Sequence, residues 1–184
     1  MKKSLLFLLI TFSLSSSVFS QKTNQEESNQ KLNEVKLNGL YMVLGAFEGS
    51  YEYLLNEESG VGVSLFLPID KEVNEDVNYY ISPYYRFYFG EKYASGFFLE
   101  GFGMLNSVKE VTYVYGDFPP YPSFSNSKNI TDFALGIGLG GKWITKRGLL
   151  SEINFGVGRN LFNTSDYIDN EYVAKLGITI GYRF

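Results

Sequence analysis

Polar and apolar residues alternate strictly along the last thirteen residues of the chain, from Tyr172 to Phe184. The even positions are aromatic, aliphatic or alanine, whereas the odd positions from Val173 to Arg183 are mostly polar or small. A repeat of two residues places successive side chains on opposite faces of a β-strand. This stretch is therefore predicted to be a strand with one apolar face, and its last residue is a phenylalanine.

Alternation of the same kind recurs in six segments upstream, each bounded by glycine, proline or polar residues that favour turns. Residues 35–44 are a weaker candidate, because their apolar residues fall on both faces. A short helix, or a segment packed against the other strands, is the alternative there. The predicted strands cover residues 35–44, 46–55, 60–67, 78–89, 96–115, 130–143, 148–160 and 172–184.

The connections between these strands alternate between short and long along the chain. Short turns on the periplasmic side and longer extracellular loops are typical of outer-membrane barrels, whose smallest members have eight strands. We therefore predict an all-β fold, an eight-stranded antiparallel transmembrane β-barrel of the up-and-down meander type. Short connections fall at residues 56–59, 90–95 and 144–147, and long ones at residues 68–77, 116–129 and 161–170.

Charged residues decide which face of the strands is the inside. A soluble barrel of the lipocalin kind would have an apolar lumen, but reversing the faces here would place Arg86 and Lys175 in lipid, at about 2–4 kcal/mol each. The charged face is therefore predicted to line the lumen as an ion-pair network. The network is interpreted as filler that satisfies buried charge, and the alternative is an ion or proton pathway. Its members are Glu48, Glu52, Arg86, Glu100, Asp132, Lys142, Glu152, Lys175 and Arg183.

The size of the inward side chains predicts a filled lumen. Residues 80–104 contribute bulky tyrosine, phenylalanine and methionine, whereas the last three strands contribute mostly glycine. Large side chains from one wall can fill the space left by the other, so an open pore is not expected. Outward glycines at Gly49, Gly101 and Gly103 have two readings, a site of close approach for another membrane protein or positions covered by neighbouring aromatic rings.

The N-terminus has the features of a secretory signal peptide. Lys2 and Lys3 precede an apolar run from Leu5 to Phe12, and cleavage is expected after Ser20. The run is too short for a membrane-spanning helix, which needs about 20 residues. Residues 1–20 are therefore predicted to be the signal peptide, residues 21–34 a flexible periplasmic segment and residues 35–184 the barrel.

Composition restricts the chemistry. The chain has no histidine and no cysteine, which excludes Ser-His-Asp and Cys-His catalysis, histidine metal sites and disulfides. No basic cluster indicates a nucleic-acid partner, and no cofactor or metal site is predicted. Glu48 and Glu52 share one face and are a candidate acid–base pair, although pairing with Arg86 or Lys175 is the preferred interpretation.

The connection at residues 116–129 carries three aromatic side chains, Phe118, Tyr121 and Phe124, on a proline-rich stretch. Rigid exposed aromatic groups make contacts that cost little conformational entropy. These residues are therefore a candidate extracellular contact loop, and the alternative is a lid folded over the mouth of the barrel.

Three motifs carry a resemblance to known proteins: Tyr51-Glu52-Tyr53, the aromatic strand from Tyr84 to Phe89, and the closing Gly181 to Phe184. With them the chain resembles the small outer-membrane β-barrel families of Bacteroidota, many of unknown function, with an architecture like that of OmpA and OmpX. The resemblance implies a location in the bacterial outer membrane. It also implies that Tyr182 and Phe184 form the C-terminal signal recognised by the barrel-assembly machinery.

These observations predict a non-enzymatic outer-membrane barrel with a structural or adhesive role, or a role as an accessory subunit of an outer-membrane complex. The expected partners are outer-membrane lipid, the assembly machinery during biogenesis, and a membrane protein. The alternatives are a barrel that binds lipid or a small molecule, and a narrow ion channel.

Overall fold

The computed structural model describes residues 30–70, 77–115, 122–162 and 171–184, with the backbone alone at 110–115 and 122–127. The predicted signal peptide lies outside the described residues, as does the predicted flexible segment up to residue 29. Among the described residues, no helix is both long enough and apolar enough to cross a membrane.

Eight strands form one closed sheet in which each pairs antiparallel with its neighbours in sequence and the first pairs with the last. The predicted all-β, eight-stranded antiparallel meander is therefore confirmed. The elements are β1 (Asn33–Asn38), α1 (Gly39–Val43), β2 (Ala46–Leu54), β3 (Ser59–Pro68), β4 (Val77–Tyr88), β5 (Gly96–Tyr115), β6 (Pro122–Ile144), β7 (Leu149–Asn160) and β8 (Tyr172–Arg183).

The strands are strongly staggered around the barrel. A path through paired residues that starts at Arg183 and passes once around the barrel returns to β8 at Val173, ten residues away. With a rise of about 3.3 Å per residue and a strand spacing of about 4.7 Å, this stagger corresponds to a tilt of about 40°. The stagger determines which inward side chains from different strands lie at the same height in the lumen.

The predicted faces of the strands are confirmed. On β4, Tyr84 and Arg86 are buried inside, whereas Ile81, Tyr85 and Phe87 are 40–48% exposed on the outside. The same division holds for the other strands, with large apolar side chains outside and polar, charged or tightly packed aromatic groups inside. The sheet is therefore mainly polar on its inner face and apolar on its outer face.

The first predicted strand, residues 35–44, is wrong in its extent. The strand begins at Asn33 and ends at Asn38, so its first two residues come from the segment predicted to be flexible. Residues Gly39–Val43 form the helix α1, because the Asn38 side chain caps it by accepting from the Leu40 N–H (3.1 Å). Gly45, with φ +86°, then turns the chain into β2.

The long loop predicted at residues 116–129 is also wrong in its extent. β6 starts at Pro122 and pairs with β5 up to Tyr115, which leaves only residues 116–121 as the connection. β5 pairs with β4 only as far as Val108, so its last residues pair with β6 alone and form a two-stranded ribbon beyond the barrel. No strict alternation of polar and apolar residues marks residues 122–129 in the sequence, so the pattern did not predict this part of β6.

Candidate functional site in the barrel interior

Glu52 lies at the centre of the lumen and is completely buried. Its carboxylate accepts from Lys36 Nζ, from Arg86 Nη1 (3.1 Å) and from Lys142 Nζ (3.3 Å). The hydroxyls of Tyr84 (3.3 Å) and Tyr88 also donate to it. One carboxylate from β2 therefore connects side chains of β1, β4 and β6, and its lone pairs are fully used.

Two lysines approach the same three carboxylates from different walls. Lys36 of β1 contacts Glu34 (3.0 Å), Glu52 and Glu152 (2.6 Å). Lys142 of β6 contacts the same residues at 2.8, 3.3 and 3.4 Å. Oxygens of these three glutamates lie within 4.8 Å of one another, a spacing that suits a metal ion. The two ammonium groups supply the positive charge there, so the chemistry of the cluster argues against a metal site.

Arg86 binds the network into one unit. Its guanidinium donates to Glu100 (2.8 Å), Glu52 (3.1 Å) and Glu152 (2.8 Å), which lie on β5, β2 and β7. The guanidinium carbon lies 4.5 Å from the ring centre of Tyr84 and 4.3 Å from that of Phe98. The cation is therefore held both by carboxylates and by aromatic faces.

The network extends to both ends of the lumen. Towards the long loops, Lys175 contacts Glu100 at 2.7 Å. Towards the short turns, Arg183 contacts Glu34 (2.7 Å) and donates to the backbone carbonyls of Tyr93 (2.9 Å) and Ala94 (2.8 Å). Arg183 thereby holds the β4–β5 turn beneath the barrel, where it closes the lower end of the lumen.

All nine charged residues predicted for the lumen are buried, and seven of them lie in this network. The hydrogen bonds of Glu48 and Asp132 differ from those of the other seven. Glu48 accepts from the Asn38 amide (2.5 Å). Asp132 accepts from the backbone N–H groups of Phe133 (2.6 Å) and Phe162 (3.1 Å), where β7 leads into the next loop.

The structure adds Glu34 and Lys36, which the sequence analysis missed. Both lie on β1, where the predicted strand started too late and ran into the helix. The sequence nevertheless contains the signal, because Glu34, Lys36 and Asn38 share one face and alternate with Val35 and Leu37. A strand bounded at residue 38 would have brought both residues into the predicted network.

Apolar layers fill the lumen on either side of the ions. Below the network, Leu54, Tyr88, Ala94 and Phe98 pack together. A second cluster above it comprises Ala46, Phe66, Tyr80, Tyr84, Phe102, Met104 and Ala134.

A cavity of about 10 Å³ lies beside the ion network and is lined by polar and charged residues. Glu48, Ser64, Lys175 and Thr179 are among its lining residues. This volume suits about one water molecule.

The other predicted site residues lie elsewhere. Phe118 and Tyr121 of the candidate contact loop lie outside the described residues, and Phe124 lies in β6 with its backbone alone described. Tyr182 and Phe184 face outward at the end of β8 and are 40% and 49% exposed. Their role as an assembly signal stays a prediction.

Comparison with known proteins identifies relatives by structure alone. No protein-family model and no curated protein sequence matches the chain. The chain is similar to the N-terminal β-barrel domain of OprF from Pseudomonas aeruginosa, with a TM-score of 0.53 and 15% identity over 84% of this chain and 98% of that one. The outer membrane protein Ail of Yersinia pestis matches with a TM-score of 0.38 and 16% identity over 84% and 100%. The first likeness supports the small-barrel fold and extends no further than the fold.

Proposed function

We propose that this protein is an integral barrel of the bacterial outer membrane with a sealed interior and a non-enzymatic structural, adhesive or accessory role. The observation that carries the proposal is the exterior of the barrel. Each of the eight strands presents large apolar side chains that are exposed on the outer face. A soluble monomer rarely exposes a continuous apolar surface of this extent, whereas a membrane barrel requires one.

The interior supports a sealed barrel rather than a channel or a lumenal binding site. Ion pairs bridge the lumen from β1 to β6 and from β4 to β7. Aromatic layers lie above and below them, and a cavity beside the network has room for about one water molecule. This packing of the described residues supports a lumen without a continuous passage for ions or small molecules, in which the network is structural filler.

The β5–β6 ribbon supports a contact role on the long-loop side. Residues 109–115 of β5 and their partners in β6 extend the hairpin by about 20–25 Å beyond the pairing with β4. In the part of the chain that the structure describes, β4 pairs with β5 only as far as Val108 and β7 pairs with β6 only as far as Ala134. The edge of such a hairpin can pair with an extended segment of a partner protein. The aromatic residues predicted at its tip would add side-chain contacts.

The predicted signal peptide and the short turns support an orientation with both ends of the barrel chain on the periplasmic side. The resemblance of the sequence motifs supports an origin in Bacteroidota. In this arrangement the ribbon faces outward from the cell, where a structural, adhesive or accessory role is exercised.

Fractionation of cells that express the full chain tests the membrane assignment. We expect the protein in the outer-membrane fraction, extractable only by detergent, with a change of electrophoretic mobility on boiling because a closed barrel resists cold dodecyl sulfate. Release by osmotic shock as a soluble protein would overturn the assignment.

Planar-bilayer recording tests the seal. We expect no stable conductance steps from the folded barrel, whereas reproducible steps would make the channel alternative the better function. A mass spectrum of the purified protein then distinguishes a bound lipid, which would favour the binding alternative, from a bare barrel.

The contact role is tested by replacing residues 110–128 with a two-residue Asn-Gly turn, which keeps Lys109 paired with Asn129. We expect the shortened barrel to keep its mobility shift and to lose any stoichiometric partner that co-purifies with the full chain. A partner retained at equal stoichiometry would contradict a role for the ribbon.

A further inference from the structure

The barrel wall is not made of strands everywhere. β1 pairs with β8 only up to Asn38 and Thr179, and with β2 only up to Leu37 and Gly49. β8 continues towards the long loops for seven residues beyond Thr179, to Tyr172, and β2 continues to Ala46. A gap therefore opens between β8 and β2 in the half of the wall nearest the long loops, where β1 would have continued.

The helix α1 fills this gap against the β8 edge. The Asn38 amide donates to the backbone carbonyl of Leu176 (2.9 Å). A Cβ placed on Gly39 would lie 3.4 Å from the Ile178 carbonyl oxygen, so the start of the helix touches the edge directly. The Asn38 side chain thus satisfies a backbone carbonyl of β8 that lies beyond the end of β1.

On the opposite side of the gap, Asn38 and Tyr41 contact side chains of β2 and β3. The Asn38 amide also donates to the Glu48 carboxylate of β2 (2.5 Å). The Tyr41 ring packs edge-on against the Phe66 ring of β3, with the ring centres 5.2 Å apart. The inward face of α1 is therefore tied to both walls of the lumen.

The outward side of α1 is apolar. Met42 is 53% exposed, Val43 86% and Leu44 57%. The helix lies level with Leu176 and Ile178, which are 48% and 55% exposed on the outer face of β8. The exposed surface of α1 therefore continues the apolar belt of the barrel.

We propose that α1 is embedded in the bilayer and that Met42, Val43 and Leu44 contact acyl chains of the leaflet on the long-loop side. The inference rests on the proposed function, because it needs the barrel to lie in a membrane. An unpaired strand edge at membrane depth costs several kcal/mol for each unsatisfied group. In α1 the Asn38 side chain accepts from the Leu40 N–H, and the N–H groups of Leu44 and Gly45 donate to the carbonyls of Leu40 and Met42. A short apolar helix with polar anchors on its inner side is therefore a suitable closure for an incomplete strand pair.

Site-specific fluorescence tests the position of α1. The chain has no cysteine, so Val43→Cys, Ile137→Cys and Lys146→Cys each create a single labelling site. Ile137 is 73% exposed on the outer face of β6 and marks the lipid, whereas the exposed Lys146 lies in the β6–β7 turn and marks the water. Each labelled protein is reconstituted into phosphatidylcholine vesicles with brominated acyl chains, and iodide serves as the aqueous quencher.

We expect acyl-chain quenching at position 43 of at least about half that at position 137, with little iodide quenching. Quenching by iodide at position 43 together with quenching by bromine at position 137 would overturn the inference about α1. It would still agree with the proposal that the barrel lies in the membrane. Protection from both quenchers at position 43 would overturn it in favour of a covering protein segment. Loss of bromine quenching at position 137 would instead contradict the proposed function.

A second variant tests the anchoring of α1. Asn38→Ala removes the bonds to Leu176 and Glu48, and we expect it to raise iodide quenching at position 43 about threefold or more, since the helix loses its link to both edges. Quenching at position 137 should stay unchanged, as should the mobility shift that reports the folded barrel. An unchanged signal at position 43 would contradict the anchoring role.

Discussion

Phe102 of β5 and Gly136 of β6 are paired partners, and the phenylalanine ring occupies the space that a side chain at position 136 would need. A Cβ on Gly136 would overlap the ring and would also lie 2.6 Å from the carbonyl oxygen of Val157. The same relation holds between Tyr84 and Gly62 across the β3–β4 pair. Large side chains on one strand thus depend on glycine on the next. The sequence analysis predicted that bulky residues of one wall fill the space left by glycines of the last three strands, but it did not predict the pairing of Tyr84 with Gly62.

Gly136→Ala is expected to destabilise the barrel by about 1–3 kcal/mol, because backbone as well as side-chain atoms must move. Gly101→Ala is the matched control on the outer face, where a Cβ would meet nothing within 4 Å. We expect the control to be neutral or stabilising by about 0.5–1 kcal/mol. Urea unfolding in micelles, followed through the single tryptophan, Trp143, measures both variants. Equal free energies of unfolding for Gly136→Ala and Gly101→Ala would contradict the packing argument.

Glu52→Gln is expected to destabilise the barrel by about 3–5 kcal/mol, because three buried cations each lose one of their counter-charges. The control, Glu171→Gln, breaks an exposed ion pair. In that pair Arg159 Nη2 lies 2.5 Å from Glu171 Oε1, and the Arg159 side chain is 62% exposed. We expect that change to cost less than about 1 kcal/mol. The same unfolding experiment measures both, and a similar cost for the two would show that the buried network is not structural.

Tyr88→Phe removes a hydroxyl that donates to Glu52 and accepts from Lys142. We expect a loss of about 1–3 kcal/mol in the free energy of unfolding, because two buried charged groups lose a partner. Tyr85→Phe, on the outer face of the same strand, is expected to change stability by less than about 0.5 kcal/mol. A larger loss from Tyr85→Phe than from Tyr88→Phe would reverse the predicted order and refute it.

Arg183→Met frees the β4–β5 turn by removing the donors to the Tyr93 and Ala94 carbonyls. Hydrogen exchange of the Ala94 amide, which donates to the Glu57 carbonyl (2.7 Å), should accelerate about tenfold or more. Arg147→Met, in the exposed β6–β7 turn, is the control and should leave that exchange unchanged. Identical exchange in the two variants would mean that other contacts hold the turn.

The sequence predicted most of the residues that line the lumen, but it did not predict which of them contact one another. The parity of each strand identified seven of the charged residues that form the network, since burial follows from the face on which a side chain lies. Glu48 has the same parity as Glu52, yet it bonds to Asn38 rather than to a cation of the network. The difference arises because stagger, rather than strand membership, determines which inward residues share a height.

Two segments differ from the preferred prediction. In α1, apolar residues face outward from a helix, and a short helix was only the alternative to a strand at residues 35–44. In the ribbon, residues 122–129 pair with β5 as a strand although no strict alternation marks them. A repeat of polar and apolar residues indicates which face of an element is buried in the protein. It therefore does not identify an element whose surroundings differ from those of an ordinary barrel strand.

The sequence by itself determined the number of strands, their faces and the inside-out distribution of charge, because each follows from the two-residue repeat and from the cost of placing charge in an apolar medium. Only the tertiary structure decided the ten-residue stagger, the partners of Glu52 and Arg86, and the closure of the wall by α1. Those features depend on contacts between residues far apart in the chain, which local patterns do not encode.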